Sequence, residues 1–292
     1  MSAETATISR SPRTSDRFPF WGLLALGFAT ILVPTLISLG REPWSTEAGA
    51  HGPIVLATGL WLLHYNGLRM TAARPDGRFG LLGIALLVVS LPAYAFGRAY
   101  DFIALEATGL YGVFLAIFLR LFGFGEVRRQ AFPLFYLAFV IPIPGFVLDR
   151  VTAPLQMLVS WASGLIMNAL GYPMYRQGVT LVVAQYQLLV EDACAGMNSI
   201  VGLTAVSLLY IYLMRRASLA YALGLMLLIL PVAIIVNIIR VSALVAITYH
   251  FGDAAAQGFM HATTGIVLFG LAVLIIFAID SLIHRFLKGK TA

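Results

Sequence analysis

Charge is scarce in this chain: only 11% of its 292 residues are Asp, Glu, Lys or Arg. Soluble domains carry about 25%, so a soluble globular protein is excluded. Cysteine is scarcer still. The single Cys194 rules out an intrachain disulfide and any multi-cysteine metal centre. H-E-x-x-H is missing, no two histidines stand at ligand spacing, and no metal is expected. G-x-S-x-G, a P-loop and a dinucleotide fingerprint are missing too. A serine hydrolase and a nucleotide cofactor are therefore not expected, and no other cofactor is implied. The alternating segments of about 10 residues that build a membrane β-barrel are also lacking.

What the chain has is apolar length. Hydrophobic residues make up 60%, and the mean hydropathy is +0.90. They fall in blocks of about 17–20 residues, the length that crosses ~30 Å of hydrocarbon as helix. The expected fold class is an all-α polytopic membrane protein of about eight transmembrane helices, with the lipid bilayer as its surroundings. The net charge of +6 does not signal nucleic acid. The basic residues sit in short clusters between apolar blocks, where they orient helices, and no basic helix remains to track phosphates.

The expected spans are Phe20–Leu39, Gly52–Tyr65, Phe79–Phe96, Phe102–Phe122, Ala131–Leu148, Met197–Met214, Ala217–Val236 and Ala262–Asp280. The first block ends without a small-residue cleavage site and reads as an uncleaved anchor. Val151–Gly171 carries Thr152, Gln156, Ser160 and Ser163 along one helical face, the pattern of a helix lying in the interface. Gly171 and Pro173 end it. Two β-prone runs, Val179–Val183 and Tyr186–Val190, flank Ala184-Gln185 and read as an extramembrane hairpin. With both termini cytoplasmic, 14 of the 19 basic residues fall inside; Arg41, Arg98, Arg150, Arg176 and Arg240 face outward. That division sets four regions: a tail at 1–19, four spans over 20–130, a second membrane region over 131–280 and a basic tail at 281–292.

This topology puts three reactive residues at one membrane surface. Cys194 opens the sixth span, Arg240 follows the seventh, and His261 precedes the eighth. Two readings of Cys194 stand. It is a small buried hydrophobe, or it is a nucleophile whose thiol pKa is lowered by a helix N-terminus. In the second case the same N–H groups can hold an oxyanion. Arg240 either snorkels to the headgroups or stabilises the thiolate and the oxyanion. His261 is either incidental or a near-neutral acid and base for the leaving amine and the second nucleophile. His250 is a second choice for that role, whereas His51, in the first outer loop, His64 and His284 fit it poorly. Glu191 and Asp192 could orient the histidine or simply be solvated.

Glu191-Asp192-Ala193-Cys194-Ala195-Gly196-Met197-Asn198-Ser199, then Asn237-x-x-Arg240, then His261-x-x-x-Gly265 resemble the three signatures of the exosortase/archaeosortase membrane transpeptidases. The resemblance covers about Leu134–Asp280. Ala195 departs from it, because the family usually has serine after the cysteine. Histidine at the third signature points to the bacterial exosortase branch. The resemblance implies a cysteine endopeptidase or transpeptidase of the inner membrane, with Cys194, Arg240 and His261 as catalytic residues. The implied substrates are exported proteins with a PEP-CTERM-like C-terminal sorting signal: a short motif, a hydrophobic helix and a basic cluster. An exopolysaccharide or lipid is the implied acceptor. The competing reading is a non-enzymatic component or transporter of exopolysaccharide export, which needs polar residues along a membrane pathway. Glu106 is the clearest such residue.

Overall fold

The computed structural model describes residues 18–46, 49–68, 77–189, 199–214 and 219–263, with isolated positions between 274 and 281. The expected N-terminal tail as far as Arg17, Arg69 and Arg74 of the loop after the second span, Cys194 with its acidic neighbours, Arg215-Arg216 and the C-terminal tail from 282 onward lie outside them. Most of the expected eighth span does so too.

The described chain is mostly helical. Helices α1 (Phe18–Arg41), α2 (Gly52–Tyr65), α3 (Gly77–Ala99), α4 (Ile103–Arg129), α5 (Ala131–Leu137) and α6 (Gly145–Ala169) form its first half. Strands β1 (Met174–Gln177), β2 (Thr180–Val183) and β3 (Tyr186–Leu189) follow. Then come α7 (Ser199–Met214), α8 (Leu219–Phe251) and α9 (Asp253–Thr263). Four described helices, α1, α3, α4 and part of α8, are long and apolar enough to cross a membrane, or five spans if the bent pair α5–α6 counts as one. Eight is not reached among the described residues. Helices α2 and α7, at 14 and 16 residues, are apolar but shorter than the ~20 residues of a full span.

Helices α3 and α4 pack most closely, through glycines. A Cβ at Gly109 would run into the Tyr94 backbone, and one at Gly112 into the Ser90 hydroxyl. In a bilayer, where apolar contact alone does not distinguish protein from lipid, small residues let helix backbones approach. Asp101, with φ 53°, makes the tight turn between the two. The expected turn at Arg98–Asp101 is therefore present.

Three expectations change. The expected fifth span is broken: Pro142 and Pro144 cannot donate to a helix, and α6 leaves α5 at 92°. Helix α6 is also not polar toward water. Thr152, Ser160 and Ser163 are buried, while Val151, Trp161 and Leu165 on the opposite side are exposed. The polar stripe is the inner seam, reversing the amphipathicity that suggested an interfacial helix. Finally, the seventh span, expected to stop at Val236 before a separate helix and loop over 237–261, and the helix after it are one. Helix α8 runs 33 residues to Phe251, about 50 Å at ~1.5 Å per residue. Asn237 and Arg240 look like a boundary in sequence, but both are buried against protein and the helix continues through them.

Helix α6 ends as its sequence indicates. Gly171 takes φ 87°, its N–H bonds to Asn168 O at 3.0 Å, and Tyr172 N–H bonds to Met167 O at 3.1 Å. This is the paired cap that glycine permits, and Pro173 follows it. The hairpin is present as β2 and β3, with Ala184 at φ 51° in its two-residue turn. A third strand, β1, joins β2 through Gly178 at φ 64°, giving an antiparallel sheet in the order β1-β2-β3. Leu181, Val183 and Leu188 bury one side of the sheet in a core shared with Val159 and Met167 of α6, and with Val241, Leu244 and Val245 of α8.

Candidate functional site

Helix α8 carries the two described polar residues of the expected site. Asn237 and Arg240 are three residues apart and so share a helical side. They are 5% and 2% exposed, respectively. The Asn237 amide donates to Ala233 O at 2.9 Å, within its own helix. A guanidinium at this burial is costly anywhere and costlier in a membrane, so it marks a place where a charge is used. One residue later Val241 enters the core under the β-sheet. Ser163 of α6 donates to Ile238 O at 3.4 Å, and Ser160 to Gly178 O at 2.9 Å. Arg240 thus sits where α6, α8 and the sheet are joined.

Cys194 lies outside the described residues, five after the end of β3 and five before the start of α7. At ~3.5 Å per residue, its Cα can be no more than about 18 Å from either anchor. His261 stands on α9, which packs against α8 and buries Ala256 in the core containing Val241. Its backbone is described and its side chain is not. Glu191 and Asp192 also fall outside the described residues. The structure therefore gathers the elements that lead to the three residues, with Arg240 alone described as a side chain.

His250, the second choice, is occupied elsewhere. It is exposed near the end of α8, where its Nε2 lies 3.3 Å from the Tyr172 hydroxyl and its ring meets Tyr172 edge-on. Ten residues along the helix from Arg240, it is about 15 Å away. Glu106 is buried and accepts from the Thr35 hydroxyl at 2.8 Å and from Arg98 at 3.3 Å. Those partners tie α1, α3 and α4 together, and a carboxylate so occupied does not line a path.

Sequence reasoning passed over a cavity of about 650 Å³. Its walls come from the short helical turn Pro43–Ser45, the start of α2 and of α4, the Ile141–Pro144 break, and Val201 in the first turn of α7. Within it His51 packs on Gly202, where a Cβ would meet the His51 Cβ at 3.1 Å. The lining is mainly apolar, with Glu42 and His51 as its charged or titratable members. The clue in sequence was Trp44 followed by Gly49 and Gly52: a Cβ at Gly52 would collide with the Trp44 ring.

No group of three or more His, Cys, Asp or Glu residues suited to a metal occurs among the described residues. A family model described as transmembrane exosortase matches residues 44–278 of the chain, which takes in Cys194, Arg240 and His261. No curated protein and no solved structure matches it.

Proposed function

Because the chain belongs to the transmembrane exosortase family, we propose that it is a membrane cysteine peptidase or transpeptidase acting on exported proteins. The observation that carries the reading is the buried Arg240 on α8, next to Val241 in the core under a sheet whose last strand ends five residues before the only thiol. The Cys194 thiolate attacks the scissile carbonyl carbon, and the oxygen becomes an oxyanion. The Arg240 guanidinium stabilises that charge, together with N–H groups at the start of the helix after Cys194. The C–N bond breaks as His261 gives its proton to the leaving amine, and a thioester remains. Water, or an acceptor hydroxyl or amine, loses its proton to His261 and attacks the thioester, releasing the thiolate.

The substrate is an exported protein ending in a short motif, an apolar helix and a basic cluster. Its helix stands in the bilayer with the basic end in the cytoplasm, so the motif reaches the outer surface. The acceptor is a surface exopolysaccharide or lipid. The enzyme belongs in the inner membrane with eight spans, both termini cytoplasmic and the sheet outside. The loop-by-loop placement of basic residues supports this orientation.

The test uses the single thiol. A membrane-impermeant maleimide is added to cells with a permeabilised outer envelope, and the labelling rate is followed against pH. Labelling from outside with a midpoint below the ~8.5 of a free cysteine is expected. Native, detergent-solubilised protein that still resists the reagent would remove the chemical basis of the reading. In parallel, Cys194→Ser should abolish cleavage while the protein still accumulates, whereas a transporter or scaffold would tolerate one sulfur-to-oxygen change.

A further inference from the structure

The cavity lies at the N-terminal end of α7, with Val201 of its first turn in the wall. Three features make it a built site rather than a packing gap. Its volume of about 650 Å³ falls within the ~300–1,000 Å³ of formed ligand pockets. Its walls are stiff: Gly49 and Gly52 close the Trp44 turn so tightly that neither admits a Cβ, and Pro142 and Pro144 fix the opposite wall. It also has a continuation. Val140 and Ile141 line both this cavity and a second groove of about 180 Å³ between α1, α2, α4 and α5, apolar apart from Tyr111. Phe28, Leu32 and Leu60 carry that groove along the apolar lengths of α1 and α2.

We propose that the upper cavity receives the extended segment of the exported protein next to the scissile bond, and that the lower groove takes the first apolar side chains of the helix that follows. The proposal rests on the peptidase reading and adds where its substrate sits. A ligand that is extended at the surface and apolar below it fits a cavity that opens into an apolar groove. A soluble peptide lacking the helix would fill only the upper part. Trp44 and Phe139 give the upper segment flat apolar walls, and His51 holds the Trp44 side of the cavity against α7 through Gly202. Ile143 and Phe146, 44% and 65% exposed at the cavity wall, are specificity-determining positions.

The test uses the full chain in native membranes. The probe is a reporter protein ending in a proline-containing motif, an apolar helix and a basic cluster. A photoreactive benzoylphenylalanine at Ile143 or Phe146 should crosslink to the reporter, and one at Leu158, exposed on the outer side of α6, should not. Ile143→Trp should raise KM for the reporter about tenfold with kcat little changed, and Leu158→Trp should leave both unchanged. Equal crosslinking from Leu158, or none from Ile143 and Phe146, overturns the placement. So does an unchanged KM in Ile143→Trp. A reporter that wild type leaves intact, or that Cys194→Ser still cuts, sinks the peptidase reading instead, because the crosslink reads occupancy without turnover.

Discussion

The Asn66 side-chain amide donates to the Tyr212 hydroxyl at 2.9 Å, joining the end of α2 to the end of α7 across 146 residues. The same amide reaches Gln130 Oε1 at 3.1 Å, and Gln130 in turn donates to Glu126 Oε1 at 3.2 Å. Arg129 pairs with Glu126 and donates to the carbonyls of Asn66 and Gly67, closing the open end of α2. Gln130 is fully buried and sits in the middle of this chain.

Position therefore decides the cost of breaking it. Tyr212→Phe removes one hydrogen bond and keeps the stack on Phe132 at 4.0 Å, so it should cost ~0.6–1 kcal/mol. Gln130→Ala removes three hydrogen bonds at once, the one from the Asn66 amide and those to Glu126 and Gly67 O, and should cost about 2–3 kcal/mol even though Asn66 keeps Tyr212 and Glu126 keeps Arg129. Thermal unfolding in detergent checks both. Equal losses would mean that the network is not centred on Gln130.

A second polar tie holds the first helices. Glu106→Ala takes an acceptor from Thr35 and from the half-exposed Arg98, which keep Ile31 O at 2.9 Å and Ser38 Oγ at 2.8 Å, and should cost about 1–2 kcal/mol. Glu106→Gln keeps an acceptor for Thr35 and should cost clearly less. Cleavage by the surviving folded enzyme should be normal in both. If turnover falls in Glu106→Gln without loss of stability, Glu106 has a functional role that its present partners do not explain.

The two turns of the sheet make opposite predictions. Ala184 holds φ 51°, a region that burdens a Cβ by ~1–2 kcal/mol. Ala184→Gly should relieve that strain and raise the melting temperature, after some loss to added unfolded-state freedom. Gly178 holds φ 64°, and Gly178→Val should lower it. A melting temperature unmoved by Gly178→Val would place the sheet outside the cooperative unit formed by α6 and α8.

These turns were also among the features most legible in sequence. Gly171 with Pro173 announced the end of α6, the runs around Ala184-Gln185 announced a hairpin, and α2 begins and ends at Gly52 and Tyr65 as expected. Each depends on local backbone chemistry. What was not legible depends on what a side chain meets. Thr152, Ser160 and Ser163 make a polar stripe whether it faces water or α8, and periodicity alone does not say which. Arg240 looked like the far side of a boundary because a charge is costly in lipid; inside a protein seam the helix runs on through it. Strand β1, only four residues long and mostly exposed, had no hydrophobic pattern to announce it. The cavity is assembled from segments as distant as Trp44 and Val201, which no local window brings together.

Arg240 gives the sharpest test of the chemistry. If its guanidinium stabilises both the Cys194 thiolate and the oxyanion, Arg240→Gln should lower kcat by about 10²–10³ with little change in KM, as when one oxyanion donor is lost. Arg240→Lys keeps the charge but loses the planar fork, and should recover only part of the rate. The pH dependence separates this role from a structural one. Removing the positive charge raises the thiol pKa toward ~8.5, so the thiolate fraction, and activity with it, should rise only at higher pH. Maleimide labelling of Cys194 should shift in the same direction. A structural arginine predicts something else: a lower melting temperature, less folded enzyme, and an unchanged pH midpoint in the fraction that remains. Finding that pattern in both Arg240→Gln and Arg240→Lys would remove Arg240 from the catalytic machinery and leave activation of the thiol to other groups.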